Sequence, residues 1–223
     1  MAANSLVQLL DDWKGTVPEG GAWLEQKHDG WRAFYAPDYL GKPCLWTRNG
    51  HPIEGVGHIL HRLARMEREA GQPMFFDGEL IVGGTLEATK AWCESGWKKG
   101  GEAGTFHAFD AIPLREWKAG GGAIPLISRK NALEALVAAT DEPEWEWRAG
   151  SRGRDEAGPA AVSFVGGQWI FDQRDVIDAA RGIWAAGGEG VVIKEGDAPY
   201  RRNRNRTWQK VKRENQYKWR NAA

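Results

Sequence analysis

Only two cysteines, Cys44 and Cys93, occur in 223 residues, and no C-x-x-C spacing joins them. A disulfide-built scaffold and a zinc knuckle are thereby excluded, and a reducing compartment is implied. No apolar run approaches the ~20 residues that a bilayer span requires. The opening MAANSLVQLLDDWKG also lacks the basic start and long apolar core of a secretory leader, so a soluble, cytoplasmic protein without membrane partners is expected. Net charge is absent too, since 30 Lys and Arg balance 30 Asp and Glu. That balance would argue against a nucleic-acid partner, but it hides an asymmetry. Residues 201–220 hold nine Lys or Arg against one Glu, a net of +8 that leaves −8 elsewhere, as expected of one basic face beside an acidic body. No internal repeat is present. The length suits a single unit, residues 1–223, able to bury a core without metals or cross-links.

The stretch that organises the chain is WLEQKHDGWR, Trp23 to Arg32. The runs AWLEQK and WRAFYA flank Asp29-Gly30 and are aromatic-rich and partly alternating, which predicts a strand, tight turn and strand with Lys27 near the bend. Alone, a lysine two residues before Asp-Gly signifies no more than a surface hairpin. Around it, residues 4–13 suit a short opening helix, and PCLWTR at 43–48 reads as a strand ending at an Asn49-Gly50 turn. Residues 55–69 carry Val56, Ile59, Leu60, Leu63 and Met66 at helical spacing. His58 and His61 on that helix read as surface residues.

PMFFDGELIVG sets Asp77 and Glu79 inside an apolar strand, a costly placement unless the carboxylates face a ligand or a partner. FHAFDAIPL reads as another strand, 118–123 as a flexible loop, and Ser128 as the cap of a helix bearing Leu133, Leu136 and Val137. Residues 148–160 read as an insertion. Asp172 is expected to cap a last helix, closed by Gly187-Gly188. In EGVVIKE an apolar strand is bracketed by Glu189 and Lys194, and in TWQKVKRE Trp208, Lys210 and Lys212 alternate onto one face. Most of the thirteen tryptophans are expected in the core or at strand edges.

Taken together, KHDGWR, LWTRNG, FFDGELIVG, FHAFDAIPL, EGVVIKE and TWQKVKRE resemble, in order and spacing, the six sequence blocks of the adenylation domain of ATP-dependent DNA ligases, most nearly the short bacteriophage type. The resemblance spans residues 23 to 215. It implies an α+β fold of two mainly antiparallel sheets flanked by helices, the ATP-grasp-like nucleotidyltransferase architecture, with the nucleotide cleft between the sheets. It also implies ATP as cofactor, with AMP carried covalently on Lys27, and Mg²⁺ or Mn²⁺ held by Glu189. The partner it implies is nicked double-stranded DNA, bound by a monomer in the cytoplasm of a bacterial or phage-infected cell.

Carried over residue by residue, Lys27 is the nucleophile, Asp29 lies near the reacting centre, and Lys210 and Lys212 hold phosphate. Glu25 sits beside the adenine, Arg32 at the ribose or nick, Glu79 on the ribose hydroxyls, and Phe109 against the adenine, with Trp208 also at the nucleotide. Arg48 and Arg204 face DNA. The run RENQYKW resembles the family's link into an oligonucleotide-binding (OB) barrel. Residues 213–223 are therefore read as the start of a linker to an absent OB-fold domain. Two other readings are an RNA ligase or capping-type member of the same superfamily, and a nucleotide-binding module without catalysis.

Overall fold

The structure is a computed structural model and describes residues 5–37, 39–41, 43–141 and 160–218. The insertion read at 148–160 lies outside them, save for its last residue. The strands are β1 (Leu9–Asp12), β2 (Ala22–Lys27), β3 (Trp31–Tyr35), β4 (Leu45–Thr47), β5 (Pro52–Ile53), β6 (Met74–Ile81), β7 (Thr105–Pro113), β8 (Val162–Phe164), β9 (Gly167–Ile170), β10 (Gly190–Glu195) and β11 (Arg204–Lys212). The helices are α1 (Gly57–Ala70), α2 (Leu86–Ala91), α3 (Trp97–Gly100), α4 (Leu114–Lys118), α5 (Leu126–Ala139) and α6 (Gln173–Ala185), with a π-turn, Trp92–Gly96, between α2 and α3. None of the described helices is long and apolar enough to cross a membrane.

Two sheets form, ordered β1-β11-β10-β2-β9 and β5-β4-β3-β6-β7-β8. Among the described strands only the β1–β11 and β7–β8 pairings are parallel. Period-two alternation gives each sheet two faces. On the first sheet, Ala22, Leu24, Val191, Ile193 and Val211 pack outward against Val176 and Ala180 of α6. On the second, Tyr35, Leu80, Phe106 and Ala108 pack outward against Ile59, Leu63 and Met66 of α1 and Leu133 of α5. Between the sheets lies an aromatic layer that includes Phe34, Trp46, Phe75, Trp117, Tyr200 and Trp208. The order of layers is helix, sheet, sheet, helix. Trp208, Lys210 and Lys212 share the inner face of the first sheet, opposite Val211, as their alternation predicted, and Glu25 and Lys27 stand on the same face in matching rows.

Four local expectations fail, each for a physical reason. The segment read as an opening helix is strand β1, because its parallel pairing with β11, Leu9 opposite Arg204 and Asp12 opposite Lys210, outweighs a weak helical pattern. The predicted hairpin at Lys27 is a crossing between sheets: β2 pairs with β9 and β10, whereas β3 pairs with β4 and β6. Gly30 serves that crossing by close approach, since a Cβ there would lie 2.4 Å from the Leu80 carbonyl. Ser128 caps nothing, because α5 begins at Leu126 behind Pro125. His58 is no surface residue, for it is largely buried and 2.9 Å from the Gly104 carbonyl. Asp172 does cap α6, in a reciprocal box with Asp175, and Gly187 and Gly188 do close it.

Candidate active site

Cross-strand register builds the centre of the cleft. Lys27 of β2, Gly190 of β10 and Lys212 of β11 lie in one row, so the two lysines flank the position where Glu189 enters the sheet. The row closes tightly because residue 190 is glycine: its φ is +151°, and a Cβ there would lie 2.0 Å from the Val211 carbonyl. The Glu189 carboxylate bridges the pair. One oxygen lies 2.6 Å from Lys27 Nζ and the other meets Lys212 Nζ. Trp184 of α6 fixes this corner by donating its indole N–H to the Glu189 carbonyl at 3.0 Å.

The next row inward pairs Glu25 with Val192 and Val192 with Lys210. Glu25 is only 3% exposed and is held by Lys194 at 2.6 Å, Lys130 of α5 at 2.8 Å and the Trp23 indole N–H at 3.0 Å. A buried carboxylate with two buried ammonium partners is compensated where one with none would be costly. Burial nevertheless pulls the Lys194 ammonium down to about 8, against the opposing effect of Glu25. Lys210 lies 3.7 Å from Asp12.

The second sheet supplies the facing wall. The β6–β7 register shifts between Asp77 and Gly78, so Phe109 has no opposite residue and forms a bulge. Bulges re-aim side chains, and this one turns the Phe109 ring inward, edge-on to Trp208 at 6.0 Å. The Phe109 carbonyl is met by Lys130 Nζ at 3.3 Å and Lys194 Nζ at 3.5 Å, and Lys194 Nζ also lies 4.2 Å from the Trp208 ring centre. Arg32 donates two hydrogen bonds to Asp77, both 2.7 Å, and its guanidinium carbon lies 4.4 Å from the centre of the Phe109 ring. Asp77 also accepts from the Tyr200 hydroxyl at 2.6 Å. Burial works against the Arg32 charge, but Asp77 more than compensates and holds the guanidinium above its usual range.

A cleft of about 690 Å³ opens onto this centre. Lys27, Arg32, Arg48, Lys90, Arg204, Lys210 and Lys212 line it together with Glu79, and Glu189 lies between two of these lysines. Such a surface is built for polyanions. A deeper recess carries Glu25, Lys27, Glu79, Phe109, Lys194 and Trp208. Residues 4–212 match the family described as ATP dependent DNA ligase domain.

The chain belongs to that family. Solved structures share the fold. A protein titled "Pmar-Lig_PreS3" superposes with a TM-score of 0.73 at 20% identity, covering 92% of this chain and 46% of that one. The ATP-dependent DNA ligase from bacteriophage T7, in complex with ATP, gives 0.68 at 16%, covering 92% and 68%. The Chlorella virus DNA ligase-adenylate gives 0.63 at 16%, covering 94% and 68%. This chain thus spans about half the length of the first of them. No curated protein matches it significantly.

In this ligase domain the two-sheet fold expected from the sequence blocks is present, with the cleft between the sheets. Of the sequence-predicted residues, Glu25, Lys27, Arg32, Glu79, Phe109, Trp208 and Glu189 converge on the cleft centre, and Arg48, Arg204, Lys210 and Lys212 occupy its rim. Asp29 is exposed at the crossing between sheets. Sequence reasoning missed Lys130, and it left Lys194 without a role. Lys194 carried a signal, a charge ending an apolar strand, whereas Lys130 in SRKNAL looks like any helix-surface lysine. The stacked pair His28 and His107, ring centres 4.6 Å apart beside Lys27, also went unread.

Glu79 accepts the Gly30 N–H, and burial pushes its carboxyl up to about 7 despite Arg32 and Lys27. The folded state therefore binds a proton more tightly than the unfolded one, whose carboxyl titrates near 4.5. The stability so contributed is complete below about pH 4.5 and is lost as pH rises through about 7. Glu79→Gln stays neutral throughout. Its melting temperature should rise relative to wild type as pH increases from about 5 to about 8. Parallel melting curves over that interval would remove the buried carboxyl from the account.

Proposed function

We propose that this domain adenylylates itself on Lys27 with ATP, passes the AMP to the 5'-phosphate of a nicked DNA duplex, and seals the nick with the adjacent 3'-hydroxyl. The observation that carries the reading is the bridge from Lys27 through Glu189 to Lys212 at the centre of a cation-lined cleft. Its walls also hold a buried-edge carboxylate, Glu79, and an inward-turned ring, Phe109.

A lysine amine attacks phosphorus only when neutral, and an unperturbed one is neutral in roughly one molecule in 2,500 at pH 7. Lys212, with Lys210 and Arg32 further along the cleft, presents the positive charge that would hold the triphosphate beside Lys27. The neutral amine then forms an N–P bond to the α-phosphorus as the bond to the pyrophosphate oxygen breaks. Lys210 and Lys212 take the charge that develops on the phosphates. Phe109 and Trp208 enclose the adenine, with Glu25 beneath it, and Glu79 accepts from the ribose hydroxyls. Arg32, with two of its nitrogens committed to Asp77, positions the Phe109 ring and borders the ribose. Asp29 lies beside the reacting centre, and Arg48 and Arg204 contact the DNA backbone.

Among the described residues no three metal-ligating side chains cluster. Mg²⁺ typically takes one or two carboxylates together with substrate phosphates and water, so Glu189, whose oxygens here meet Lys27 and Lys212, would be the protein ligand for it or for Mn²⁺. When bound, the ion supplies charge neutralisation at the leaving phosphates.

Mass spectrometry of the protein after incubation with ATP and Mg²⁺ should reveal a gain of about 330 Da, one AMP, that pyrophosphate reverses. The modified peptide should contain Lys27. A protein that binds ATP yet never gains mass would be a nucleotide-binding module instead.

A further inference from the structure

Helix α2, beside β3 and β6, contributes to the lining of the cleft, and its two faces differ. Thr89 turns inward and is fully buried. Its hydroxyl accepts the Val82 N–H at 2.9 Å and lies 2.6 Å from the Thr85 carbonyl and 3.1 Å from that of Val82. Trp92, one turn on, is buried beside it. The helix is thus clamped to the end of β6. The other face of α2 and the π-turn after it presents Leu86, Lys90 and Cys93, spaced four and three apart, and all three line the 690 Å³ cleft. Leu86 is 44% exposed and the Lys90 side chain 63%, and the Lys90 contact to Glu94, at 3.9 Å, is a weak solvent-facing pair.

A clamped helix that offers an uncovered leucine and a solvated lysine to a polyanion cleft has chemistry to spare for a ligand larger than a nucleotide. The other cations of the cleft belong to β2, β3, β11 and the turn after β4, on both sheets, and α2 adds a helical edge beyond the strands that carry them. We propose that α2 is the outer wall of a duplex DNA groove, with Lys90 on a backbone phosphate and Leu86 packed on deoxyribose. This assignment rests on the ligase reading of the cleft and adds to it a surface outside the nucleotide pocket. The two contacts differ in kind. A phosphate contact releases a counterion and steepens the salt dependence of binding, whereas an apolar contact on sugar adds affinity with no such signature.

The test is fluorescence anisotropy of a labelled nicked duplex across roughly 25–200 mM salt, using wild type, Lys90→Glu, Leu86→Ala and Lys99→Glu. Lys99 is exposed on α3 and does not line the cleft, so its variant carries the same charge change elsewhere. Lys90→Glu should weaken binding about ten-fold at low salt and lower the slope of log K against log salt by about 0.9. Leu86→Ala should weaken it about three-fold with the slope unchanged. Lys99→Glu should do neither. If Lys90→Glu and Lys99→Glu coincide in affinity and slope, α2 is not a DNA wall, although the ligase reading survives. An equal loss of self-adenylylation in Lys90→Glu would place the lysine on the triphosphate and overturn the assignment. Wild-type protein that binds no nicked duplex at any salt would defeat the ligase reading together with the inference.

Discussion

Lys27→Ala protein incubated with labelled ATP and Mg²⁺ is expected to carry no nucleotide, a loss of at least about a thousand-fold in labelling rate. In the proposed mechanism the Lys27 amine alone forms the covalent bond. Lys212 shares the same carboxylate but sits across Gly190, on the far side of Glu189. Lys27→Arg should fail equally, because a guanidinium remains protonated at any workable pH. Both variants should melt near wild type, since Lys27 stands on a cleft wall and packs no core. Labelling that persists in Lys27→Ala would transfer the nucleophile to another lysine, and peptide mapping would identify it.

The largest effect on stability should come from a pair far less conspicuous in sequence. Asp110 is fully buried and takes two hydrogen bonds, 2.7 and 2.8 Å, from Arg129, itself 2% exposed. Arg129 also donates to the Ile124 and Ala198 carbonyls. Arg129→Met leaves a buried carboxylate without its hydrogen-bonded counterion, which costs about 3–5 kcal/mol in comparable sites. The urea midpoint should fall accordingly, and Asp110→Asn combined with Arg129→Met should recover part of the loss, because the stranded charge is gone. A loss under about 1 kcal/mol in the single variant would mean that water reaches Asp110 and that the pair is not a buried one.

How much of this was legible in the chain depended on distance. Features written in a few adjacent residues were readable: the alternation that puts Trp208, Lys210 and Lys212 on one face, the Asp172 cap, and the spacing of Ile59, Leu63 and Met66. The cleft centre was readable because six blocks resemble a family, and Lys27, Glu79, Phe109 and Glu189 do converge there. What failed was pairing. Asp29-Gly30 looks like a hairpin turn whether the next strand folds back or departs to another sheet, and Gly30 is required by the Leu80 carbonyl, a neighbour 50 residues away. The bulge at Phe109 leaves no mark in FHAFDAIPL, since it is a property of register against β6. Buried cations were hidden for a related reason. Arg129 and Lys130 sit on a helix where charged residues are ordinary, and only the carboxylates brought opposite them, Asp110 and Glu25, explain their burial.

The division of strands between the two sheets bears on how the molecule comes together. Strands β3 to β7 of the second sheet come from one uninterrupted stretch, residues 31–113, whereas the first sheet joins β1 and β2 to β9, β10 and β11. Its β1–β11 pairing links positions nearly 200 residues apart. Closing so long a loop is slow and is rewarded only once both ends are in hand. During synthesis, therefore, the second sheet can mature while the first still waits for its last strand. Because Lys212 arrives on that strand, an incomplete chain cannot assemble the row that contains Lys27. The adenylylation proposed for Lys27 should then appear on the emerging polypeptide only after β11 has docked, the same step that brings Trp208 into the aromatic layer.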